Sequence, residues 1–240
     1  MNGIKVIFFD MGNTLLHFHH GESDHEKDMK GLIYLTEYLN RFNHNIIFDE
    51  VKNGFFKSWM TGIEDRRKTF KEYPIEGFLN DFLVPYKIKL NMNECIEAIN
   101  LFYTEYREHV FFESDIYDTL RRIKGKGYKI GVISNTCYYD AVMKNCFKKA
   151  GIYDLIDNYT FSYSLRIGKP DIQIFKTAIE SMKVSSKEAL MVGDNLKSDI
   201  KPALNLGMKA IWVNNKNKKM NSEIKPHIEI ESISKILNYL

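Results

Sequence analysis

Hydrophobic and polar positions fall into two textures along this chain. Between Asp24 and Val110 the apolar residues recur at helical spacing, with no convincing strand. Four amphipathic stretches stand out there: DHEKDMKGLIYLTEYLNRF, DEVKNGFFKSWMTGIEDRRKTF, PIEGFLNDFLVPY and NECIEAINLFYTEYREHV. Phe48 ahead of Asp49 suits a hydrophobic residue before an N-cap, and Pro74 suits a first helical turn, where a missing N–H loses no bond. From Phe111 onward strands and helices alternate. The spacing predicts helices over SDIYDTLRRIKGKG, YYDAVMKNCFKKAG, DIQIFKTAIESMK and LKSDIKPALNLG. It predicts strands over YKIGVIS, NYTFS, EALMVGD, MKAIWV and HIEIES, before a closing SISKILNYL. The short apolar run Lys5–Phe9 belongs with these strands. The expected fold is therefore α/β: a doubly wound, parallel, Rossmann-like sheet built from residues 1–16 and 111–240, with an all-helical cap, residues 17–110, inserted after the first strand.

Composition narrows the picture. The 240 residues are 44% hydrophobic and 27% charged, enough apolar material for a sizeable core. A net charge of +3 is too small to argue for nucleic acid, and KNKKM at Lys216–Met220 reads as a solvated loop. No apolar run reaches the length of a membrane span, and the N-terminal run is too short for a signal peptide. Cys95, Cys137 and Cys146 show no metal-ligand spacing and read as reduced thiols of a cytoplasmic protein. The oligomeric state is not written in the sequence.

The chemistry gathers at one edge. Ligands of an open parallel sheet bind beyond the carboxyl ends of its strands. The first strand delivers Asp10 there. The strand ending in VIS delivers Ser134 and Asn135, which could also cap a helix. The strand ending in MVG delivers Asp194, followed by Asn195 and Asp199, and Lys169 follows the short strand in RIGKPDIQIF. Carboxylates suit a hard divalent cation such as magnesium, while a hydroxyl, backbone N–H groups and an ammonium suit phosphoryl oxygens.

In order and position, DMGNT (Asp10–Thr14), the Ser134-Asn135 pair, KPD at Lys169 and GDNLKSD (Gly193–Asp199) resemble the four motifs of the haloacid dehalogenase (HAD) superfamily, mostly magnesium-dependent phosphatases. The resemblance covers the whole chain, including a helical cap of the C1 type. It implies that Asp10 is the nucleophile that becomes an aspartyl phosphate and also binds the metal. Ser134 and Lys169 are implied to serve the phosphoryl group, and Met11, Gly12, Thr14 and Asn135 to line its site. Thr14 also orients the nucleophile. Asp194 and Asp199 are implied to complete the magnesium site with Asp10 and the Gly12 carbonyl. The implied substrate is a small phosphorylated metabolite; nucleic acid and membrane are not expected partners.

One departure matters. The superfamily pattern has a second aspartate two residues after the nucleophile, which protonates the leaving oxygen and later activates water. Here that residue is Gly12. Hydrolysis is then expected to depend steeply on leaving-group acidity unless another group donates the proton. His17, His19 and His20 titrate in the right range but also read as a polar linker. The same gap keeps open a phosphate-binding or regulatory protein with little turnover. A 2-haloacid dehalogenase would need no metal, which the paired Asp194 and Asp199 oppose, and a phosphomutase would need the missing acid. In the cap, Arg66, Arg67 and Lys68 read as a solvated helix face that could greet an anion, and the aromatics as core with one or two at the substrate mouth.

Overall fold

The structure is a computed structural model that describes residues 1–42, 45–69, 72–215 and 223–240. The Lys216–Met220 stretch, Phe70 at the end of the second helical stretch, and the side chains of Arg67 and Lys68 lie outside the described residues. Among the described residues, six strands form one sheet: β1 (Val6–Phe9), β2 (Lys129–Ser134), β3 (Asn158–Phe161), β4 (Ala189–Gly193), β5 (Lys209–Val213) and β6 (Ile228–Ile230). The order is β3-β2-β1-β4-β5-β6, and every neighbouring pair is parallel.

β1 is apolar on both faces because both faces are covered. Ile7 and Phe9 join one hydrophobic cluster and Val6 and Phe8 the other, all fully buried. Each such side chain contributes roughly 1.5–3 kcal/mol on burial, which fixes the strand at the middle of the sheet. Phe9 pairs with Val132 on one side and Val192 on the other, so the three chain segments that follow emerge side by side. From β1 the order runs outward through β2 and β3 in one direction and through β4, β5 and β6 in the other. The switch between β1 and β4 opens a crevice just beyond Asp10.

The helical block follows β1. It comprises α1 (Asp24–Leu39), α2 (Phe48–Glu50), α3 (Lys57–Thr69), α4 (Ile75–Leu83), α5 (Met92–Phe102) and α6 (Thr104–Glu108). Ser23 and Glu26 form a reciprocal capping box at the start of α1. Three of the expected helices differ in detail. The second begins at Phe48 rather than after Asp49: Ile47 holds the cap position, and its N–H donates to Glu50. A π-helical segment, Val51–Phe56, then joins α2 to α3. In the third, Pro74 holds the cap position rather than the first turn, and α4 begins at Ile75. The fourth breaks at Tyr103 (φ −87°, ψ 5°), which sets that ring against Tyr106 at 5.1 Å and Tyr138 at 4.4 Å.

The chain leaves β1 and returns to the sheet at one point. His17 and Phe111 exchange both backbone hydrogen bonds, at 2.8 and 3.0 Å. After it come α7 (Ile116–Gly125), α8 (Asp140–Lys149), α9 (Ser162–Leu165), α10 (Ile172–Ser181) and α11 (Lys201–Asn205), with a π-helical turn, Leu196–Ile200, leading into α11. The predicted NYTFS strand gives up Ser162, which opens α9. No helix among the described residues is long and apolar enough to cross a membrane. The three cysteines are free and buried, and burial pushes Cys137 up to about 11 and Cys146 up to about 12, so both stay thiols.

Candidate active site

Asp10 follows the last residue of β1, and its N–H still donates to Val192 on β4 (2.9 Å). Its carboxylate is therefore aimed by the sheet itself. Lys169 Nζ lies 2.6 Å from Asp10 Oδ1 and 2.7 Å from Asp199 Oδ1, with all three groups buried. The second oxygen of Asp199 accepts the Asn195 N–H at 3.0 Å. Asn195 in turn caps the turn that carries Asp199, accepting from the N–H groups of Lys197 and Ser198. Thr14 Oγ1 makes a long contact, 3.5 Å, with the other oxygen of Asp10.

The site carries more negative than positive charge. Asp10, Asp194 and Asp199 each bring one carboxylate oxygen within 4.8 Å of the others, against the single ammonium of Lys169. Burial pushes the Asp10 carboxyl up; Lys169 pulls it down, and Asp199 and Asp194 push it further, to about 7. Burial disfavours the charged Lys169, but the two facing carboxylates outweigh it and hold the ammonium above its ordinary range. An all-oxygen, anionic donor set with surplus negative charge fits a hard divalent cation such as magnesium.

The second and third motifs are tied to each other. Asn135 Nδ2 donates to the Lys169 carbonyl (2.7 Å), and the Lys169 N–H donates to Asn135 Oδ1 (2.6 Å). That pair fixes the backbone from which the lysine reaches Asp10. Asn135 thus caps no helix; α8 starts at Asp140 with Tyr139 at its cap. Ser134 ends β2, buried, on the wall of the same cavity. Asp171 caps α10 by accepting from the Gln173 N–H.

One residue of the turn after Asp10 is left-handed. Asn13, not Gly12, takes the left-handed conformation (φ 56°). A Cβ added at Gly12 would meet no atom within 4 Å. Neither strain nor crowding excludes a side chain there. Gly193 is the opposite case: an added Cβ would come within 2.5–2.7 Å of the Asp199 side chain. Its close approach lets Asp199 lie over the end of β4, a role the sequence hints at only by a glycine just before Asp194.

Of the residues that the motifs designate, Asp10, Met11, Gly12, Ser134, Asn135, Lys169, Asp194 and Asp199 line one cavity of about 500 Å³ between the sheet edge and the helical block. Thr14 stands behind Asp10, outside that lining. The opposite wall comes from the helices. Trp59, Tyr103 and Tyr106 line it, more aromatics than the sequence suggested, with His19, Asp24 and Asp28 beside them. Arg66 also lines it and is not a solvated residue: Glu72 holds its guanidinium at 2.7 and 2.8 Å. Ser162 in turn donates to Glu72, joining the helical block to the sheet side. Glu72 and Ser162 carried no signal in the sequence, because neither lies in a motif and they meet only in the fold.

Known proteins resemble this chain along most of its length. A family model for haloacid dehalogenase-like hydrolases matches residues 4–207. A glyceraldehyde 3-phosphate phosphatase of Pyrococcus abyssi is 28% identical over 218 residues, covering 87% of this chain and 81% of that protein. Among solved structures, a HAD phosphatase from Thermococcus onnurineus superposes with a TM-score of 0.64 at 23% identity, covering 98% of this chain and 97% of the other. A 2-haloacid dehalogenase from Pseudomonas syringae superposes equally well, with a TM-score of 0.66 at 22% identity over the same shares. The two structures speak to the fold alone.

Proposed function

The chain belongs to the haloacid dehalogenase-like hydrolases, and from that premise we propose that it is a magnesium-dependent phosphatase of a small phosphorylated metabolite. The observation that carries this reading is the buried Asp10–Lys169–Asp199 array, with Asp194 beside it, at the switch point of the sheet. A carboxylate that attacks a dianionic ester must have the mutual repulsion cancelled. Magnesium held by Asp10, Asp194, Asp199 and the Gly12 carbonyl would supply part of that cancellation as a Lewis acid.

The chain's own residues do the rest. One oxygen of Asp10 attacks phosphorus, the bond to the leaving oxygen breaks, and an aspartyl phosphate forms. Lys169 sets its ammonium between nucleophile and incoming phosphate. Ser134 and the backbone at Met11 and Gly12 orient the phosphoryl oxygens, while Thr14 orients Asp10 and Asn135 fixes the backbone of Lys169. Water then attacks the phosphoenzyme, and Asp10 leaves as a carboxylate. The helical wall shields the reaction from bulk water. The P. abyssi relative, a glyceraldehyde 3-phosphate phosphatase, supports a small substrate. A cytoplasmic setting, with no nucleic-acid or membrane partner, completes the proposal.

A second reading has one observation behind it. Gly12 offers no acid, which suits a phosphate-binding module without turnover. The two separate in a screen of small phosphomonoesters, glyceraldehyde 3-phosphate among them, with and without magnesium. Phosphate release that chelation stops and Asp10→Asn abolishes is expected. Full release in the variant would remove Asp10 as nucleophile, and indifference to chelators would favour metal-free dehalogenase chemistry.

A further inference from the structure

The phosphatase reading leaves a question that the cavity wall answers, and the inference here rests on that reading. With Gly12 at the usual position of the acid, a departing alkoxide has no donor from the nucleophile's own turn. Three histidines lie where the chain runs from Asp10 to α1. Phe111 occupies two of them: its ring stacks on His20 at 4.7 Å and lies 5.6 Å from His17. His19 is placed differently. It lines the cavity that holds Asp10 and Lys169. Its Nδ1 lies 2.6 Å from Asp24 Oδ2, and its Nε2 has no hydrogen-bond partner among the described residues. The backbone on either side is clamped. Lys27, fully buried, donates from Nζ to the carbonyls of Phe18 (2.8 Å) and His20 (2.7 Å). A buried ammonium committed to two carbonyls that bracket one histidine is a positioning device.

We infer that His19 is the proton donor to the leaving oxygen, with Asp24 and Lys27 as its positioning residues. As the bond from phosphorus to the leaving oxygen breaks, its electron pair passes to that oxygen, which takes the proton from Nε2. The other proton stays on Nδ1, which donates its N–H to the Asp24 carboxylate, and this fixes the tautomer of the neutral ring. Neutral His19 then accepts a proton from the water that attacks the aspartyl phosphate. The bond from phosphorus to Asp10 breaks, its pair returns to the carboxylate, and His19 is again charged for the next turnover. Asp28 is the rival group on the same wall, but its Oδ1 already accepts from Tyr106 at 3.0 Å.

The test compares kcat/KM for an aryl ester, p-nitrophenyl phosphate, with that for an alkyl ester, glycerol phosphate, using the full chain with magnesium. His19→Gln should lower the alkyl-to-aryl ratio by ~10²–10⁴-fold, the usual worth of a positioned acid. The side chain is 69% exposed, so the change leaves the core untouched. Asp24→Asn should move the ratio in the same direction by less. Adding Gly12→Asp to His19→Gln should restore it, because a side chain has room at that turn. An equal loss on both esters, no loss on either, or a selective loss in Asp28→Asn instead would overturn the assignment while the phosphatase reading stands. A wild-type chain that releases phosphate from neither ester, nor from any other, overturns both.

Discussion

Asp28 shows how far a single residue can depart from its ordinary chemistry in this wall. It lies on α1, 9% exposed, with Tyr106 as its hydrogen-bond donor. Burial outweighs that donor and pushes the carboxyl up to about 6 from 3.8. The folded chain therefore holds the proton more tightly than the unfolded chain does. This contribution to stability is present in full below about pH 4 and is lost as pH rises through about 6. At neutral pH the buried charge costs up to about 3 kcal/mol, because a tenfold difference in proton affinity between folded and unfolded chains is worth about 1.4 kcal/mol. Asp28→Asn keeps an acceptor for Tyr106 and removes the charge. The variant should match wild type near pH 4 and exceed it by roughly 1–3 kcal/mol at pH 7 in denaturant titrations. A difference that does not change with pH would mean that the carboxylate is solvated and its burial costs nothing.

At the scale of elements, the strands and the four motifs were legible because short apolar runs ending on polar residues have few other solutions. Asp10 and Asp194 each sit just after a strand of the sheet, Lys169 comes beyond α9 after β3, and the sheet brings the three together. Helix interiors were legible for the same reason of period. Irregularities were not. The π-helical segment Val51–Phe56 and the break at Tyr103 serve packing partners that no local pattern names: Phe55 and Phe56 meet Phe102, and Tyr103 meets Tyr138. Lys27 is the sharpest case. Lysines are almost never fully buried, yet this one is buried under Tyr106 and ties the segment around His19 to the helix. Lys27→Met should leave two carbonyls without their donor, and stability should fall by roughly 2–4 kcal/mol. Amide exchange should quicken across residues 17–21 while the middle of α1 stays protected. Uniform exchange along both segments would show that the clamp is not a local device.

For the whole molecule, the arrangement of contacts says where the helical block would pivot. Both chain crossings are tied to each other at His17 and Phe111, so motion there bends one paired ribbon rather than two loose linkers. On the far side of the cavity the block is held by Glu72, which accepts from Ser162, and by Glu76, which accepts from Tyr163 at 2.6 Å. Trp59 faces Tyr138 across the same seam at 5.8 Å and is only 4% exposed. A paired crossing at one end and hydrogen bonds to carboxylates at the other are what a hinge closure that admits substrate and then excludes water requires, and the prediction here is that the block moves in this way. A hydrogen bond to a charged group contributes about 1.5–3 kcal/mol. Glu72→Ala should therefore shift the balance toward open forms by ~10–100-fold, at about 1.4 kcal/mol per factor of ten. The chain has two tryptophans, so a Trp212→Phe background makes Trp59 the reporter. In that background Glu72→Ala should raise acrylamide quenching of Trp59, and saturating inorganic phosphate with magnesium should reverse part of the increase by favouring the closed form. Quenching that is the same in both chains, with or without phosphate, would mean that the helical block and the sheet move as one body and that substrate enters by another route.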